Sequence, residues 1–474
     1  MKEFLFWTSH AQYASDLAEI IRLFFDDVRV TLADSCEEAS LSHFLLFENN
    51  CWINKVECNS VSSRNVFSAA RLNSIELKRL QKRYAKLCVY DCLQRVKPTE
   101  LAWGALTGIR PTKLACELSA RTGDYKNDFR ELFHVSENKI ALVDAILGQQ
   151  EGLREANDDE ADVYVGIPFC LSRCSYCSFT CGEISRLTKY VAPYLDALER
   201  EISAVKALSA EKKLKIKNIY FGGGTPTSIS AESLDRLLSL FGEYSPREFC
   251  VEAGRPDTID EEKLEVMARR GVNRISVNPQ SFNQRILDGV GRNHSVEDIY
   301  LKHSMAKKFG FDINMDLIAG LPGESLNEFK RSVDCAADLK PENITVHTLA
   351  LKKGSLLKER GLSLADREKC VADMVDYARE RLCSAGYFPY YLYRQKYMTN
   401  NLENVGYCLE GKQGRYNIDI MEETTSILAC GSNAISKRVF SAQNRIERFA
   451  NPKDIPTYID KLDKLTAGKE NLFL

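Results

Sequence analysis

Apolar and polar positions change their rhythm twice along this chain. In the first part, short apolar runs such as Val28-Arg-Val-Thr-Leu32 and Phe44-Leu-Leu-Phe47 predict a small α+β unit. From about Asn73 the pattern turns helical, with Leu77, Leu80, Tyr84, Leu87 and Val89 at mostly three-to-four spacing. Trp103-Gly-Ala-Leu-Thr-Gly-Ile-Arg-Pro-Thr-Lys113 then interrupts it as a polar, Gly-rich turn in helical surroundings. The acidic stretch Glu155-Ala-Asn-Asp-Asp-Glu160 reads as a linker.

From 163 to about 350 strands and helices alternate. The expected strands are Val163–Ile167, Asn218–Phe221, Phe249–Glu252, Arg274–Val277, Asp312–Ile318 and Asn343–His347. Helical patterns lie between them, at Pro193–Leu208, Ala231–Phe241, Glu261–Arg270, Val296–Phe309 and Ser325–Leu339. Six βα units in a row predict a parallel sheet with outer helices, curled into a partial barrel, since a full barrel needs eight. After about 364 a helix (Ala365–Ala385) leads to an aromatic strand, Tyr387-Phe-Pro-Tyr-Tyr-Leu-Tyr-Arg394. The segments Arg415–Ile420 and Ser426–Ser436 follow, and the whole is read as a C-terminal α+β subdomain covering the barrel's opening. The expected domains are 1–155, 156–363 and 364–474.

Length and charge narrow the picture. With 474 residues there is ample core for two to three domains. A formal net charge of -2 gives no support to a nucleic-acid or anionic-membrane role. No segment is apolar for long enough to span a bilayer, and polar Thr8, Ser9 and His10 cut short any signal-peptide run. Sixteen cysteines, scattered and often within apolar runs, fit a reducing cytoplasm better than a disulfide framework.

Three of those cysteines stand apart. Val165-Gly-Ile-Pro-Phe-Cys170-Leu-Ser-Arg-Cys174-Ser-Tyr-Cys177 sets them at three-then-two spacing, directly after the first expected barrel strand. Barrel chemistry gathers at the C-terminal ends of strands. Three thiolates on one loop can hold three irons of a 4Fe-4S cube and leave the fourth open, where a closed cluster would recruit a fourth cysteine. The alternative is a zinc site or three reduced thiols. Zinc motifs usually pair two CxxC units or add histidines, and no histidine lies near this loop.

The loop resembles the signature of the radical S-adenosylmethionine (SAM) enzymes. The lead-in Tyr164-Val-Gly-Ile-Pro-Phe resembles the branch containing oxygen-independent coproporphyrinogen III oxidase. Within it, Leu106-Thr-Gly-Ile-Arg-Pro-Thr-Lys113 and Tyr393-Arg-Gln-Lys396 look specific to the HemZ type. The resemblance implies a six-stranded open barrel, a 4Fe-4S cluster on Cys170, Cys174 and Cys177, and SAM bound at the open iron. It implies that Gly222, Gly223, Gly224 and Thr225 form the GGGTP turn beside the methionine amino group. Glu252 is then expected on the amino-acid part of SAM, Arg292 on its carboxylate, and Gln280 and Asp316 on the ribose hydroxyls. Tyr164 is expected near the sulfonium. An unpartnered charge at Asp316, between Met315 and Leu317, would be costly to bury, which argues for a ligand or an arginine beside it. His294, His303 and His347 are read as surface or barrel-end residues.

The implied reaction converts coproporphyrinogen III to protoporphyrinogen IX in a cytoplasmic, monomeric enzyme, with flavodoxin or ferredoxin as electron donor. The tetrapyrrole's carboxylates need cations, and Arg394, Lys396 and Arg415 are the candidates. Arg394 and Lys396, at i and i+2 on a strand, would share one face. Tyr390, Tyr391 and Tyr393 would offer ring faces to the pyrroles. Two departures from the oxidase pattern are shared with haem-trafficking relatives: Gly166 replaces a histidine and Phe179 a fourth cysteine. A haem-binding chaperone, or an enzyme that modifies haem anaerobically, is therefore kept as an alternative.

Overall fold

The computed structural model describes residues 2–25, 28–68, 73–108, 110–352, 354–360, 368–395, 398 and 401–474. The chain divides into two compact units. One is built from Met1–Asp144 with two short later segments, and the other from the remainder.

The first unit carries a five-stranded sheet in the order Val28–Leu32, Lys2–Thr8, Leu41–Glu48, Cys51–Cys58, Val61–Ser68. Lys2–Thr8 pairs in parallel with both neighbours, and the last three strands form an antiparallel meander. Helix Ser74–Val96 opens on a capping box: Asn73 accepts from the Glu76 amide, and the Glu76 carboxylate accepts from the Asn73 amide. This is the α+β and helical mixture that the apolar rhythm predicts.

In the second unit, an eleven-stranded sheet forms among the described residues. Its centre is six parallel strands: Glu160–Ile167, Lys215–Gly223, Glu248–Val251, Arg274–Ser276, Asp312–Ala319 and Asn343–Thr348. These are the six expected strands, shifted by a few residues at their ends. Each is buried nearly throughout, as a parallel sheet covered on both faces requires. Helices return the chain between strands, and polar caps start them. Ser230, Asp260, Ser295 and Ser325 each accept from the backbone amide three residues on. Pro193 falls inside helix Thr188–Glu211. A short helix, Gln284–Gly289, follows the fourth strand and has no counterpart in the sequence reading.

The residues after 364 extend both edges of this sheet. Asn404–Cys408 pairs antiparallel with the sixth strand, and Phe388–Tyr393 with Asn404–Cys408. At the other edge, Ser426–Cys430 pairs in parallel with the first strand, placing Cys430 opposite Val165. Ile435–Phe440 and Arg445–Ala450 complete that edge as a hairpin. The strand order is linear, so the barrel stays open. Arg415–Glu422 is a helix.

The bottom of the sheet is closed by charge. Arg274 donates to Glu248 (3.0 Å), Asn314 (2.9 Å) and Asp312 (3.4 Å), among groups that are themselves largely buried. The opposite end, where strands run out into Gly222–Gly224, Glu252 and Gln280, carries the residues singled out for chemistry.

Candidate active site

The cysteine loop leaves the first strand through a two-residue ladder in which Phe169–Cys170 pairs with Gly182–Glu183. Its far side is tied to the fourth and sixth βα loops. The Ser175 amide donates to Val290 O (2.9 Å), the Ser172 hydroxyl to Gly291 O (3.1 Å), and the Leu357 amide to Ser175 O (3.0 Å). Arg173 donates to Gly354 O. Cys170 and Cys174 are buried, at 9% and 8% exposure.

The glycine turn packs directly on this loop. Gly223 has φ +113, and a Cβ there would lie 2.8 Å from the Ile167 backbone. A Cβ at Gly224 would lie 2.6 Å from Phe169 O and 3.0 Å from Cys170 Sγ. Only glycine lets the two loops come this close. Thr225 is next, with its amide donating to Phe169 O (2.8 Å) and its hydroxyl 3.5 Å from Cys170 Sγ.

The thiols are already electrically biased. Cys181, two residues beyond Phe179, hydrogen-bonds to both Cys170 and Cys177. That contact lowers Cys170, and brings Cys177 down to about 7 against the opposing effect of burial. The same contacts, with burial, push the Cys181 thiol up. Among the described residues, no three of His, Cys, Asp and Glu converge on the point a single metal ion would need. A cube differs, because its ligand sulfurs bond separate corners. Three thiols on one loop, two buried and one half-buried, with a glycine-shaped recess against one of them, fit such a group.

Inside the barrel mouth, Tyr164 stacks near Tyr220 (6.3 Å, 15°) and Tyr220 on Tyr416 (4.4 Å, 17°). The Tyr220 hydroxyl donates to Glu252 at 2.5 Å. Burial pushes the Glu252 carboxyl up to about 7, partly offset by that hydrogen bond and reinforced by the charge of Asp316. Burial, then the Glu252 charge, also raises Tyr164. Glu252, Tyr164 and Asp316 thus act on one shared space. Tyr220 was missed in the sequence, though it precedes Gly222 by two and so shares its strand face.

Gln280 takes φ +67, a costly conformation for a non-glycine residue and one that concentrates at functional sites. Its backbone brackets that of Asp316: Gln280 N donates to Asp316 O (2.8 Å) and Ile318 N to Gln280 O (3.0 Å). Asn278 clamps the same residue, donating to Asp316 Oδ2 (2.8 Å) and accepting from its amide (3.1 Å). The partner expected for Asp316 on solvation grounds is therefore an asparagine, joined by His347 at 3.6 Å rather than by an arginine. His347 also meets the Tyr393 hydroxyl (3.2 Å).

Arg292 is 4% exposed and donates through Nη2 to Gly254 O (2.8 Å) and Asn278 O (2.6 Å). Its Nε is buried with no hydrogen-bond partner. An orphaned cationic donor beside the cysteine loop suits an anionic ligand group, so the residues present also fit SAM.

Several expectations need correction. Neither His294 nor His303 is a surface residue. Both are buried, and burial lowers each to about 4. Tyr390 and Tyr391 do not offer ring faces to a ligand, being core residues packed with Cys408 and Ile418. The aromatic strand ends at Tyr393, so Arg394 lies beyond it and is 3% exposed. Lys396 falls outside the described residues.

Residues 164–336 match the family described as the Radical SAM superfamily. A Bacillus subtilis (strain 168) protein called oxygen-independent coproporphyrinogen-III oxidase-like protein HemZ is 41% identical over 384 residues, covering 77% of this chain and 76% of the relative. The heme chaperone HemW of the same organism is 32% identical over 237 residues, covering 48% of this chain and 61% of HemW. Among solved structures, coproporphyrinogen III oxidase (HemN) from Escherichia coli superposes with a TM-score of 0.52 at 24% identity, over 68% of this chain and 73% of that one. An open parallel barrel with a three-cysteine loop after its first strand is the radical SAM architecture. The chain belongs to that superfamily and, within it, to the HemZ type of the oxygen-independent coproporphyrinogen III oxidase family. Membership implies a 4Fe-4S cluster and SAM as its cofactors.

Proposed function

We propose that this protein oxidatively decarboxylates coproporphyrinogen III to protoporphyrinogen IX, in the cytoplasm, as a monomer supplied with electrons by flavodoxin or ferredoxin. The observation that carries the reading is the extent of likeness. The HemZ-named relative matches 77% of the chain, well beyond residues 164–336, whereas HemW of the same organism matches 48%. When bound, the cluster and SAM supply a carbon-centred radical able to take one hydrogen atom. The rest falls to the substrate. A propionate that loses hydrogen from its β-carbon, then carbon dioxide and one electron to an acceptor, becomes a vinyl group. Two of four propionates react.

In this reading Cys170, Cys174 and Cys177 hold the cluster. Gly222, Gly223, Gly224 and Thr225 line the methionine end of SAM, with Glu252 on its amino group and Arg292 on its carboxylate. Gln280 and Asp316 take the ribose, and Tyr164 stands near the sulfonium. Arg394 and Lys396 pair substrate carboxylates, whereas Arg415, whose amide donates to Glu248 (2.9 Å) at the opposite end of the sheet, is left out of that role.

The raised Glu252 carboxyl gives this assignment a pH signature. Below about 7 it holds a proton, and the carboxylate form is the stronger acceptor for the N–H groups of SAM's amine. SAM affinity of the reconstituted protein is therefore expected to rise between pH 6 and pH 8. Glu252→Gln should abolish that rise. It should also weaken binding at pH 8 by roughly tenfold to a hundredfold, since hydrogen bonds to charged groups are worth about 1.5–3 kcal/mol. Calorimetric titration at both pH values checks this, and a flat wild-type profile would move the amino group elsewhere.

The second reading, a haem-binding chaperone, is favoured by one observation: the chain is 32% identical to HemW over half its length. Anaerobic incubation with coproporphyrinogen III, SAM and reductant, followed by mass analysis of the porphyrin, separates the two. Loss of carbon dioxide and two hydrogens at each of two propionates supports the decarboxylase. Unchanged coproporphyrin, with stoichiometric haem binding in a parallel sample, supports the chaperone.

A further inference from the structure

Arg255 follows the third barrel strand, three residues beyond Glu252, and is 3% exposed. Its side chain turns toward the cysteine loop. Nη1 donates to Ser172 O at 3.0 Å and to Cys174 Sγ at 3.7 Å. Asp257 holds the rest of the fork, accepting from Nε (3.1 Å) and Nη2 (2.8 Å). The turn carrying the pair is itself fixed. The Thr258 hydroxyl donates to Arg255 O (2.7 Å), and Thr227 and Thr258 share a hydrogen bond of 2.6 Å. Arg255 therefore cannot swing away from the sulfur without breaking a bidentate ion pair.

A guanidinium keeps its charge at any working pH. Burial alone would lower Arg255, but Asp257 and the nearby thiols hold it above its ordinary value. Around Cys170 the ligand sulfur meets a neutral hydroxyl, Thr225, whereas Cys174 meets a fixed cation. Charge and hydrogen bonds to ligand sulfurs are among the terms that set an iron–sulfur potential. A cation fixed at 3.7 Å favours the state with one more electron, and a low-dielectric setting strengthens the effect.

We propose that Arg255 is a positioning and tuning residue for the cluster: through Cys174 Sγ it raises the reduction potential, and Asp257 moderates it as the counter-anion. The cluster takes one electron from an external reductant and passes one to SAM. Arg255 makes the first transfer easier at the expense of driving force in the second. This inference rests on the cluster that family membership implies and holds whichever tetrapyrrole reaction follows.

The test uses the full-length reconstituted protein, titrated with graded dithionite, with the reduced cluster followed by electron paramagnetic resonance. Arg255→Gln should lower the potential by a tenfold or larger change in the reduction equilibrium, about 59 mV for one electron. Arg255→Lys keeps charge but loses the fork, and should fall between the two. Asp257→Asn removes the counter-anion and should shift the potential upward. A role confined to bracing the loop would loosen it in both Arg255→Gln and Asp257→Asn, moving both the same way. Shifts of one sign, or no shift at full iron content, would overturn the proposal. Should Arg255→Gln fail to retain iron, Asp257→Asn and Arg255→Lys decide alone: an unchanged potential in Asp257→Asn is a negative result.

Discussion

Cys174→Ala should lose the cluster and SAM cleavage together, while Cys181→Ala should keep both. Cys170, Cys174 and Cys177 stand on a loop braced by the Val290, Gly291 and Gly354 carbonyls, so removing one thiol leaves the loop fold but not the ligand set. Cys181 is the demanding control, because its thiol hydrogen-bonds to Cys170 and Cys177. If three cysteines hold three irons and SAM takes the fourth, Cys181 is a neighbour and not a ligand. Iron and sulfide content, with the amount of 5′-deoxyadenosine formed, reads both variants. Four irons in Cys174→Ala would break the ligand assignment. A cluster lost in Cys181→Ala would make Cys181 a fourth ligand.

Lys469→Met should destabilise the barrel unit by about 3–5 kcal/mol, the cost of stripping one partner from a buried ion pair. Glu201, on helix Thr188–Glu211, is fully buried. Lys469 reaches it at 2.5 Å from the C-terminal helix, itself 1% exposed. The same carboxylate accepts from the Gly431 amide (2.6 Å), Tyr458 hydroxyl (2.7 Å) and Asn451 side chain (2.8 Å). It thereby binds the last two helices and the loop after Ser426–Cys430 to the barrel. Tyr194 carries the tie to the site, donating to Gly166 O (2.6 Å) and accepting from the Ser432 amide (3.0 Å). Denaturant unfolding of the apo-protein measures the cost. A Glu201→Gln, Lys469→Met double variant should recover part of it, because no charge is left stranded. Equal stability of Lys469→Met and the parent would mean that water reaches Glu201.

Much of this was legible in the chain because each parallel strand carries a short apolar segment and the helices between them are periodic and capped. Both signals are local. What escaped is non-local. Ser426–Cys430 reads as an ordinary apolar run, and nothing near it says that its partner is Glu160–Ile167. The cysteines and the glycine turn announced themselves by spacing. Arg255 did not, since a cation after a strand looks solvated until Asp257 and the cysteine loop close on it. The burial of His294, read as a surface or barrel-end residue, escaped for the same reason, its neighbours being polar in sequence but enclosed in space. Tyr390 and Tyr391 failed in the opposite sense: an aromatic strand was read as a binding face when its rings complete a core.

The central claim is that the radical generated at this site acts on a tetrapyrrole propionate. Coproporphyrinogen III deuterated at the propionate β-carbons, incubated anaerobically with reconstituted protein, SAM and reductant, tests it most directly. The expected result is deuterium in 5′-deoxyadenosine together with a porphyrin product that has lost carbon dioxide, one β-deuterium and one proton at each of two propionates. Unlabelled 5′-deoxyadenosine with the porphyrinogen recovered intact would contradict it.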